Sequence, residues 1–284
     1  MLNLFRKKKP KIALALGSGG ARGLAHIVAI EAFDELGITP SAIAGCSMGA
    51  VVGAGYAAGM RGKDIRAFAI EALRKRGDFT RRVIAMQWGH LRERFRETRS
   101  LRELPLQIEA TGIASEFLPP ELPQTFEELK IPLTVVATDY RERCEAVYRT
   151  GPLRPAVAGS MAIPGVMRPV EFDGRLLIDG GAVNPLPFDL LRGDADIVVA
   201  IDITRLGESP PGVPDPMQTL FTASHIMTHA IVSEKLKHSA PDILLRPNVS
   251  AFGAFDFARA MPILKASEPI KDELKRKLAA LLDA

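Results

Sequence analysis

Short apolar runs alternate with helical patterns in the first third of the chain. Residues 12–16 form an apolar run that ends at a glycine, which is typical of a buried strand. A helical pattern follows over residues 23–36 and ends at Gly37. Another short strand is predicted at 42–44, and a second helix is predicted to begin after Ser47. Strands and helices that alternate in this way predict a parallel sheet covered by helices.

The rest of the chain continues this alternation less regularly. Further buried strands are predicted at 133–137, 145–148 and 197–201. The Gly- and Pro-rich segment 154–187 is predicted to be a structured loop around a short hairpin, with its turn at Asp173-Gly174. The segment that follows residue 203 is predicted to be mainly helical, with helices at about 217–238 and 271–282.

Composition favours a globular protein of the reducing compartment. The 284 residues are 47% hydrophobic and 25% charged, which suits one large domain with a substantial core. No apolar run approaches the ~20 residues that cross a bilayer, and the five-residue run behind the basic start is too short for a secretory signal. Cys46 and Cys144 form no disulfide pattern, so a cytoplasmic location is predicted.

Charge is concentrated in the segment 61–102. It contains 13 Lys or Arg against five Asp or Glu, a local net charge of +8, and its apolar residues, Trp88 among them, recur at roughly helical spacing. Basic amphipathic helices of this kind form either a solvated face over a packed core or a surface that contacts an anionic membrane or another acidic partner. Nucleic acid is not an expected partner, because no nucleic-acid-binding motif accompanies the charge.

A serine is flanked by glycines at the predicted junction of the second strand and the second helix. The sequence Gly45-Cys46-Ser47-Met48-Gly49 has the form G-x-S-x-G. Glycines two residues before and after the serine permit a sharp turn that exposes the hydroxyl. The helix N-terminus then supplies free N–H groups and positive potential to an oxyanion. Ser47 is therefore a candidate nucleophile, and the alternative is a tight turn in which it only caps the helix.

A second glycine turn, residues 16–23, follows the first predicted strand. A dinucleotide-binding pattern that begins at Gly17 requires glycine at position 22, where Arg22 stands, and the frame that ends at Gly23 begins with Ser18. A phosphate-binding loop is excluded as well, because neither glycine turn continues as G-K-S or G-K-T. Consecutive glycines leave backbone N–H groups unshielded, so an oxyanion hole beside the serine turn is the favoured interpretation.

A nucleophilic serine needs a base, and histidine is the usual one. None of the five histidines lies in a recognisable site pattern; they are His26, His90, His225, His229 and His238. His225 and His229 have the i, i+4 spacing of metal ligands but lack the glutamate of H-E-x-x-H. Asp179 follows an apolar strand and precedes Gly180 and Gly181, so it is the better candidate base, although an ordinary Asp-Gly turn also explains it.

Taken together, these motifs resemble the patatin-like phospholipase family. The family pattern consists of a glycine-rich oxyanion loop, a G-x-S-x-G nucleophile turn and an aspartate followed by glycines. The residues that match the loop are Gly19, Gly20, Ala21, Arg22 and Gly23, and the other two motifs are Gly45 to Gly49 and Asp179-Gly180-Gly181. The small-residue block 158–166 also fits the family pattern. Ser18 departs from it, since many members have glycine there.

The resemblance implies a three-layer α/β/α fold with a mostly parallel central sheet. It divides the chain into a basic tail (1–10), a catalytic core (11–203) that includes the basic segment, and a mainly helical extension of the same domain (204–284). The implied activity is that of a lipid acyl hydrolase acting on phospholipid or lysophospholipid esters, without metal or organic cofactor. It would work in the cytoplasm, with peripheral contact to the inner face of the membrane.

The implied mechanism is a catalytic dyad of Ser47 and Asp179 without histidine. A carboxylate of ordinary pKa, ~3.9, is a weak base for a serine proton, so Asp179 has to be desolvated to become more basic. Two alternatives remain open at this point. One is an α/β-hydrolase-type esterase with a Ser-His-Asp triad, and the other is a catalytically idle lipid-binding or regulatory module that keeps the fold.

Overall fold

A computed structural model describes residues 10–74, 109–208 and 212–282. The predicted tail 1–10, except for residue 10, and most of the basic segment 61–102 lie outside the described residues. None of the described helices is both long enough and apolar enough to cross a bilayer.

The described residues form one eight-stranded sheet. Its strands are β1 (Ile12–Leu16), β2 (Ile43–Cys46), β3 (Leu133–Asp139), β4 (Cys144–Tyr148), β5 (Val170–Phe172), β6 (Arg175–Asp179), β7 (Ile197–Ile201) and β8 (Ile243–Leu245). The strand order is β5-β6-β3-β2-β1-β7-β8, with β4 paired to β3. The five strands from β3 to β8 in that order are parallel, whereas β4, β5 and β6 add antiparallel pairs. The mostly parallel central sheet is therefore confirmed.

Helices cover both faces of this sheet. They are α1 (Ala25–Glu35), α2 (Met48–Ala57), α3 (residues 62–74), α4 (Ala110–Phe117), α5 (Leu153–Ser160), α6 (Pro216–His238), α7 (Ala260–Ser267) and α8 (Ile270–Leu282). Along β1, Leu14 and Leu16 pack in the larger core cluster with α1, α2 and α8, while Ala13 and Ala15 pack in a smaller cluster with Val232 of α6. A strand that is buried on both faces explains the continuous apolar run, and the three-layer α/β/α class is confirmed.

Two regions differ from the sequence predictions. The segment 154–187, predicted to be a structured loop, contains the helix α5 before its hairpin, and the hairpin of β5 and β6 turns at Asp173-Gly174 as predicted. The segment that follows residue 203 contains β8, which adds a parallel strand beyond β7, and the helix α7 in addition to the two predicted helices. Element boundaries also shift slightly, because a 3-10 turn over Gly20–Leu24 precedes α1.

The junction of β2 and β6 determines where the site forms. β4 occupies one edge of β3 along Val135–Asp139, so β2 and β6 share the other edge. β2 runs parallel to β3 and β6 runs antiparallel, and their carboxyl ends therefore meet head to head. Cys46 pairs with Val136, and Asp179 pairs with the next residue of β3, Ala137.

Candidate active site

Ser47 lies at a strained turn between β2 and α2. Its backbone angles are φ 55° and ψ −121°, an unusual conformation for a residue other than glycine. The Ser47 N–H donates to the Ser160 hydroxyl at 2.8 Å, and that hydroxyl donates to the Val136 carbonyl at 2.6 Å. This chain of hydrogen bonds fixes the turn against β3 and leaves the side chain at the N-terminus of α2.

The two glycines of the serine turn are required by packing. A Cβ atom at Gly49 would lie 2.1 Å from the Leu16 carbonyl oxygen, and one at Gly45 would lie 2.6 Å from the Gly49 carbonyl oxygen. Backbone from β1, β2 and α2 is therefore in direct contact at this point, and any side chain at either glycine would separate these elements.

Asp179 is the hydrogen-bond partner of Ser47. The Ser47 Oγ donates to Asp179 Oδ2 at 2.6 Å, and the Gly181 N–H donates to Oδ1 at 2.7 Å. The Asp179 carbonyl accepts from Thr138 Oγ1 at 2.9 Å, which ties the strand end to β3. A Cβ atom at Gly180 would lie 2.3 Å from the Val136 carbonyl oxygen, so the turn after Asp179 also depends on glycine.

The environment makes this carboxylate more basic than an ordinary one. Burial raises the pKa of Asp179 to about 6, although hydrogen bonds from Ser47, Gly181 and Ser18 favour the ionised form and limit the rise. A pKa near 6 leaves the group ionised at neutral pH, yet able to take a proton from a nearby hydroxyl during a reaction. The arrangement can therefore deprotonate Ser47 without a histidine.

The glycine loop follows β1, next to the serine turn. Leu16 of β1 is paired with Gly45 of β2, which places both turns at the carboxyl ends of adjacent parallel strands, as expected. The Ser18 N–H donates to the Pro185 carbonyl at 2.7 Å, and the Gly17 carbonyl accepts from His26 Nε2 at 2.7 Å. These bonds connect the beginning of the loop to the segment after Asp179 and to α1.

The N–H groups of this loop differ in whether they have an acceptor among the described residues. The Ala21 N–H donates to the Ala254 carbonyl at 2.8 Å, but those of Gly19 and Gly20 have no acceptor among the described residues. Gly20 has φ +58°, and a Cβ atom there would lie 2.3 Å from the Ala254 carbonyl oxygen. At Gly19, a Cβ atom would lie 2.6 Å from Ile203 Cδ1. The loop is thus shaped by contacts with the C-terminal part of the chain.

Arg22 is buried beneath the glycine loop. Its Nε donates to the Gly19 carbonyl at 3.2 Å, and its Nη1 lies 2.5 Å from Nε2 of His225 on α6. Burial lowers the pKa of Arg22 to about 10, while the negative charges of Asp202 and Asp256 oppose the shift, so the guanidinium stays charged at neutral pH. Arg22 therefore acts as an internal support of the loop.

The described histidines do not take part in the pair of Ser47 and Asp179. His26 is buried on α1, and its Nε2 bonds the Gly17 carbonyl, while its Nδ1 has no partner. His225, His229 and His238 all lie on α6, and none of the three has a hydrogen bond to Ser47 or Asp179. His90 is outside the described residues. Within the described ranges, no three His, Cys, Asp or Glu side chains are grouped as metal ligands.

Sequence analysis missed several residues that build the site. Ser160 belongs to the small-residue block, and the sequence does not predict that its hydroxyl accepts from the Ser47 N–H. Lys235 of α6 donates to Asn184 Oδ1 at 2.7 Å, to the Leu186 carbonyl at 3.0 Å and to Asp189, and it thereby supports the segment after Asp179. A serine between small residues was a usable signal, but no local pattern distinguishes Lys235 from a surface lysine.

Comparison with known protein families covers the part of the chain that contains this site. A family model described as patatin-like phospholipase matches residues 14–192, which is more than half of the chain. The chain belongs to the patatin-like phospholipase family. The match includes the glycine loop, the serine turn and the aspartate turn, whereas β7, β8 and the helices from α6 onward follow it in the sequence.

The most similar relatives include bacterial and mammalian proteins. An uncharacterized NTE family protein of Mycobacterium tuberculosis is 39% identical over 225 residues, which are 77% of this chain and 56% of that protein. Patatin-like phospholipase domain-containing protein 7 of Mus musculus is 32% identical over 203 residues, which are 70% of this chain and 14% of that protein. The chain thus spans about half of the mycobacterial relative. Among solved structures, VipD from Legionella pneumophila aligns with 94% of this chain and 67% of its own at a TM-score of 0.48 and 15% identity.

Proposed function

We propose that the protein is a serine acyl hydrolase of lipid esters, with Ser47 as the nucleophile and Asp179 as the general base. The observation that carries this proposal is the 2.6 Å hydrogen bond from Ser47 Oγ to a buried carboxylate whose pKa is raised to about 6. A nucleophile within hydrogen-bond reach of a base is the arrangement that covalent catalysis requires. Membership of a phospholipase family supports a lipid as the substrate.

The reaction proceeds in two halves. Asp179 accepts the Ser47 proton while Oγ attacks the ester carbonyl, and the tetrahedral intermediate collapses when Asp179 returns that proton to the departing alcohol. Water then attacks the acyl-serine and transfers its proton to Asp179, which protonates Ser47 Oγ as the fatty acid leaves. Nucleophile, base and donors all belong to the chain, so no metal or organic cofactor is needed.

The N–H groups of Gly19 and Gly20 are the proposed donors to the developing oxyanion. Both lack an acceptor among the described residues, and they belong to the loop beside the serine turn. The N-terminus of α2, directly after Ser47, adds positive potential at the same place. Donors that are held before the substrate arrives lower the barrier because they need no reorganisation.

An apolar cavity between α2, α3 and α4 is the proposed site for the acyl chain. Its lining includes Leu24 and Met48, which directly follow the glycine loop and Ser47 in the sequence, together with Phe68, Leu73 and Phe117. The cavity is small, at about 30 Å³, so some of the side chains that line it have to move to admit a chain. Its apolar lining fits an acyl group of a phospholipid or lysophospholipid.

Peripheral contact with an anionic membrane at its cytoplasmic face is the proposed setting of the reaction. The net charge of +8 over residues 61–102 supports it. Two of the described arginines of that segment are engaged within the protein, since Arg66 pairs with Glu31 and Glu268, and Arg74 pairs with Glu71. The attraction therefore depends chiefly on the other basic residues of the segment.

Active-site labelling combined with hydrolysis tests this function. Wild-type protein and Ser47→Ala are treated with a fluorophosphonate probe and assayed on p-nitrophenyl butyrate, phosphatidylcholine and lysophosphatidylcholine. We expect Ser47→Ala to lose labelling and hydrolysis while its circular dichroism spectrum is unchanged. Ser41→Ala is the matched control, because Ser41 bonds the Ile12 carbonyl at the amino end of β1, opposite the site.

The outcomes separate the nucleophile from the substrate class. Labelling that persists in Ser47→Ala would place the nucleophile at another residue. A wild type that is labelled but releases no fatty acid from either lipid would contradict the lipid substrate and leave a serine esterase. A folded wild type that is neither labelled nor active would instead favour an idle module.

A further inference from the structure

The helix α6, which lies beyond the family match, contacts the glycine loop through His225. Nη1 of Arg22 lies 2.5 Å from His225 Nε2 and 3.3 Å from Nδ1, and Nε2 also lies 2.9 Å from the Thr204 carbonyl. Nε2 is the ring nitrogen closest to both groups, so the tautomer decides whether it accepts from Arg22 or donates to Thr204. One neutral imidazole therefore connects the guanidinium to the segment after β7.

His225 is neutral at physiological pH in this position. Burial lowers its pKa to about 4, and the adjacent positive charge of Arg22 lowers it further, although the Thr204 carbonyl opposes the shift. A charged imidazole would face a guanidinium and could not accept its hydrogen bond. The neutral ring can lie against Arg22 without repelling its charge.

The guanidinium in turn sets the orientation of one peptide group. Arg22 Nε donates to the Gly19 carbonyl, and the described chain has no cis peptide bonds. In a trans peptide the carbonyl and the following N–H point in opposite directions. The Gly20 N–H is therefore directed away from Arg22, and like the Gly19 N–H it has no acceptor within the described part of the chain.

We propose that His225 is a positioning residue of the active site, which holds Arg22 so that the Gly20 N–H stays aimed at the reacting carbonyl oxygen. This inference rests on the proposed function. It gives a residue of α6 a role in hydrolysis, although α6 belongs to neither the glycine loop nor the serine turn. His229 offers a contrast on the same helix, because it is half-buried like His225 but, among the described residues, its ring bonds only Ser233 Oγ, at 3.3 Å.

Four proteins test this role: wild type, His225→Ala, His225→Gln and the matched control His229→Ala. Steady-state hydrolysis of p-nitrophenyl butyrate gives kcat and KM, and hydrogen–deuterium exchange of peptides that cover residues 16–24 reports on the loop. We expect His225→Ala to lower kcat by roughly tenfold, less than the loss of a whole oxyanion donor, with KM within about twofold. Exchange in the loop should rise.

Gln can restore both contacts, because its amide oxygen accepts from Arg22 and its NH₂ group donates to Thr204. His225→Gln should therefore retain kcat within about threefold, and His229→Ala should match the wild type in kcat and in loop exchange. A purely structural role would lower the thermal midpoint of His225→Ala without a selective fall in kcat.

Three results would overturn the role of His225 while leaving the hydrolase intact: wild-type kcat in His225→Ala, unchanged loop exchange in that variant, or an equal loss of kcat in His229→Ala. Absence of turnover in the wild type is a different result. It would overturn the proposed function itself, and the role of His225 in hydrolysis with it.

Discussion

The serine turn and the glycine loop lie side by side, but they are built in different ways. The serine turn is shaped by close backbone contacts with neighbouring elements, since Gly45 and Gly49 leave no room for a Cβ atom beside Leu16 and α2. The glycine loop instead depends on distant residues, among them Ala254 and His225. A motif can thus be complete in sequence while the support of its conformation comes from the other end of the chain.

Alanine at Gly49 should have the largest effect, because it breaks the serine turn at its tightest contact. The new Cβ atom would lie 2.1 Å from the Leu16 carbonyl oxygen, and backbone on both sides prevents relief. We expect a loss of more than ~4 kcal/mol in the free energy of unfolding, or no folded protein, by urea denaturation.

Gly55→Ala is the control on the same helix. Its Cβ atom would meet only side-chain atoms at 3.6 Å or more, so removal of a helical glycine should stabilise the protein by up to ~1 kcal/mol. Equal stability of the two variants would show that the turn is not locked by backbone contact.

Alanine at Gly20 tests how strongly the glycine loop depends on its contact with Ala254. The residue has φ +58°, which costs an L-residue ~1–2 kcal/mol, and its Cβ atom would lie 2.3 Å from the Ala254 carbonyl oxygen. The contacted atoms belong to the Ala254 backbone, which has to shift, so we expect a loss of at least ~2–3 kcal/mol in the free energy of unfolding together with at least tenfold lower ester turnover.

Gly37→Ala separates backbone strain from the effect on the loop. Gly37 has φ +64° with no atom within 4 Å of its Cβ position, so it carries the same strain at a point remote from the site. It should lose stability but retain turnover. A Gly20→Ala variant with wild-type turnover would mean that the Ala254 contact does not shape the oxyanion donors.

Asp179→Asn should stabilise the protein at neutral pH, an effect opposite in sign to those of alanine at Gly49 and Gly20. The carboxyl pKa rises from an ordinary 3.8 to about 6 on folding, so the ionised form is disfavoured in the folded state. An uncharged amide removes this cost, and we expect the free energy of unfolding to rise by up to ~3 kcal/mol at pH 7, less whatever the altered Ser47 contact costs.

The gain should shrink as pH falls through 6 and vanish below about pH 4, where the wild-type carboxyl is protonated in both states. Thermal denaturation at pH 4 and pH 7 measures this difference. The control is Asp173→Asn, an exposed turn residue with φ 52°, which asparagine tolerates. Destabilisation of Asp179→Asn at pH 7 would mean that its hydrogen bonds outweigh desolvation.

The sequence predicts the parts of the site that local motifs define. Apolar runs and glycines predict β1, β2 and α2. They also predict that the glycine loop and the serine turn lie next to each other. The meeting of Ser47 with Asp179 follows from pairing along β3, which no local pattern reveals. The sequence does not predict the contacts of His225 and Lys235 either. A lone histidine or lysine on a helix has the same local pattern whether it is exposed or supports a distant loop.

The missed helix α5 has a physical explanation. Its sequence contains Pro155 and Gly159, which normally indicate a loop. Pro155 lies in the first helical turn, where its missing N–H breaks no bond, and Gly159 is required because a Cβ atom there would lie 2.7 Å from Leu177 Cδ1. β8 was missed because it has three residues and is defined by its pairing with β7.

The central claim is that Asp179 accepts the Ser47 proton, and the pH dependence of acyl-enzyme formation tests it most directly. Single-turnover acylation by p-nitrophenyl butyrate should lose rate as pH falls through about 6, because the base form of Asp179 is titrated away. Asp179→Asn should be slower by at least ~10²-fold above pH 6, where wild-type Asp179 is ionised, and should lack this titration. A normal acylation rate in folded Asp179→Asn, or an unchanged titration in that variant, would show that Asp179 is not the base that accepts the Ser47 proton.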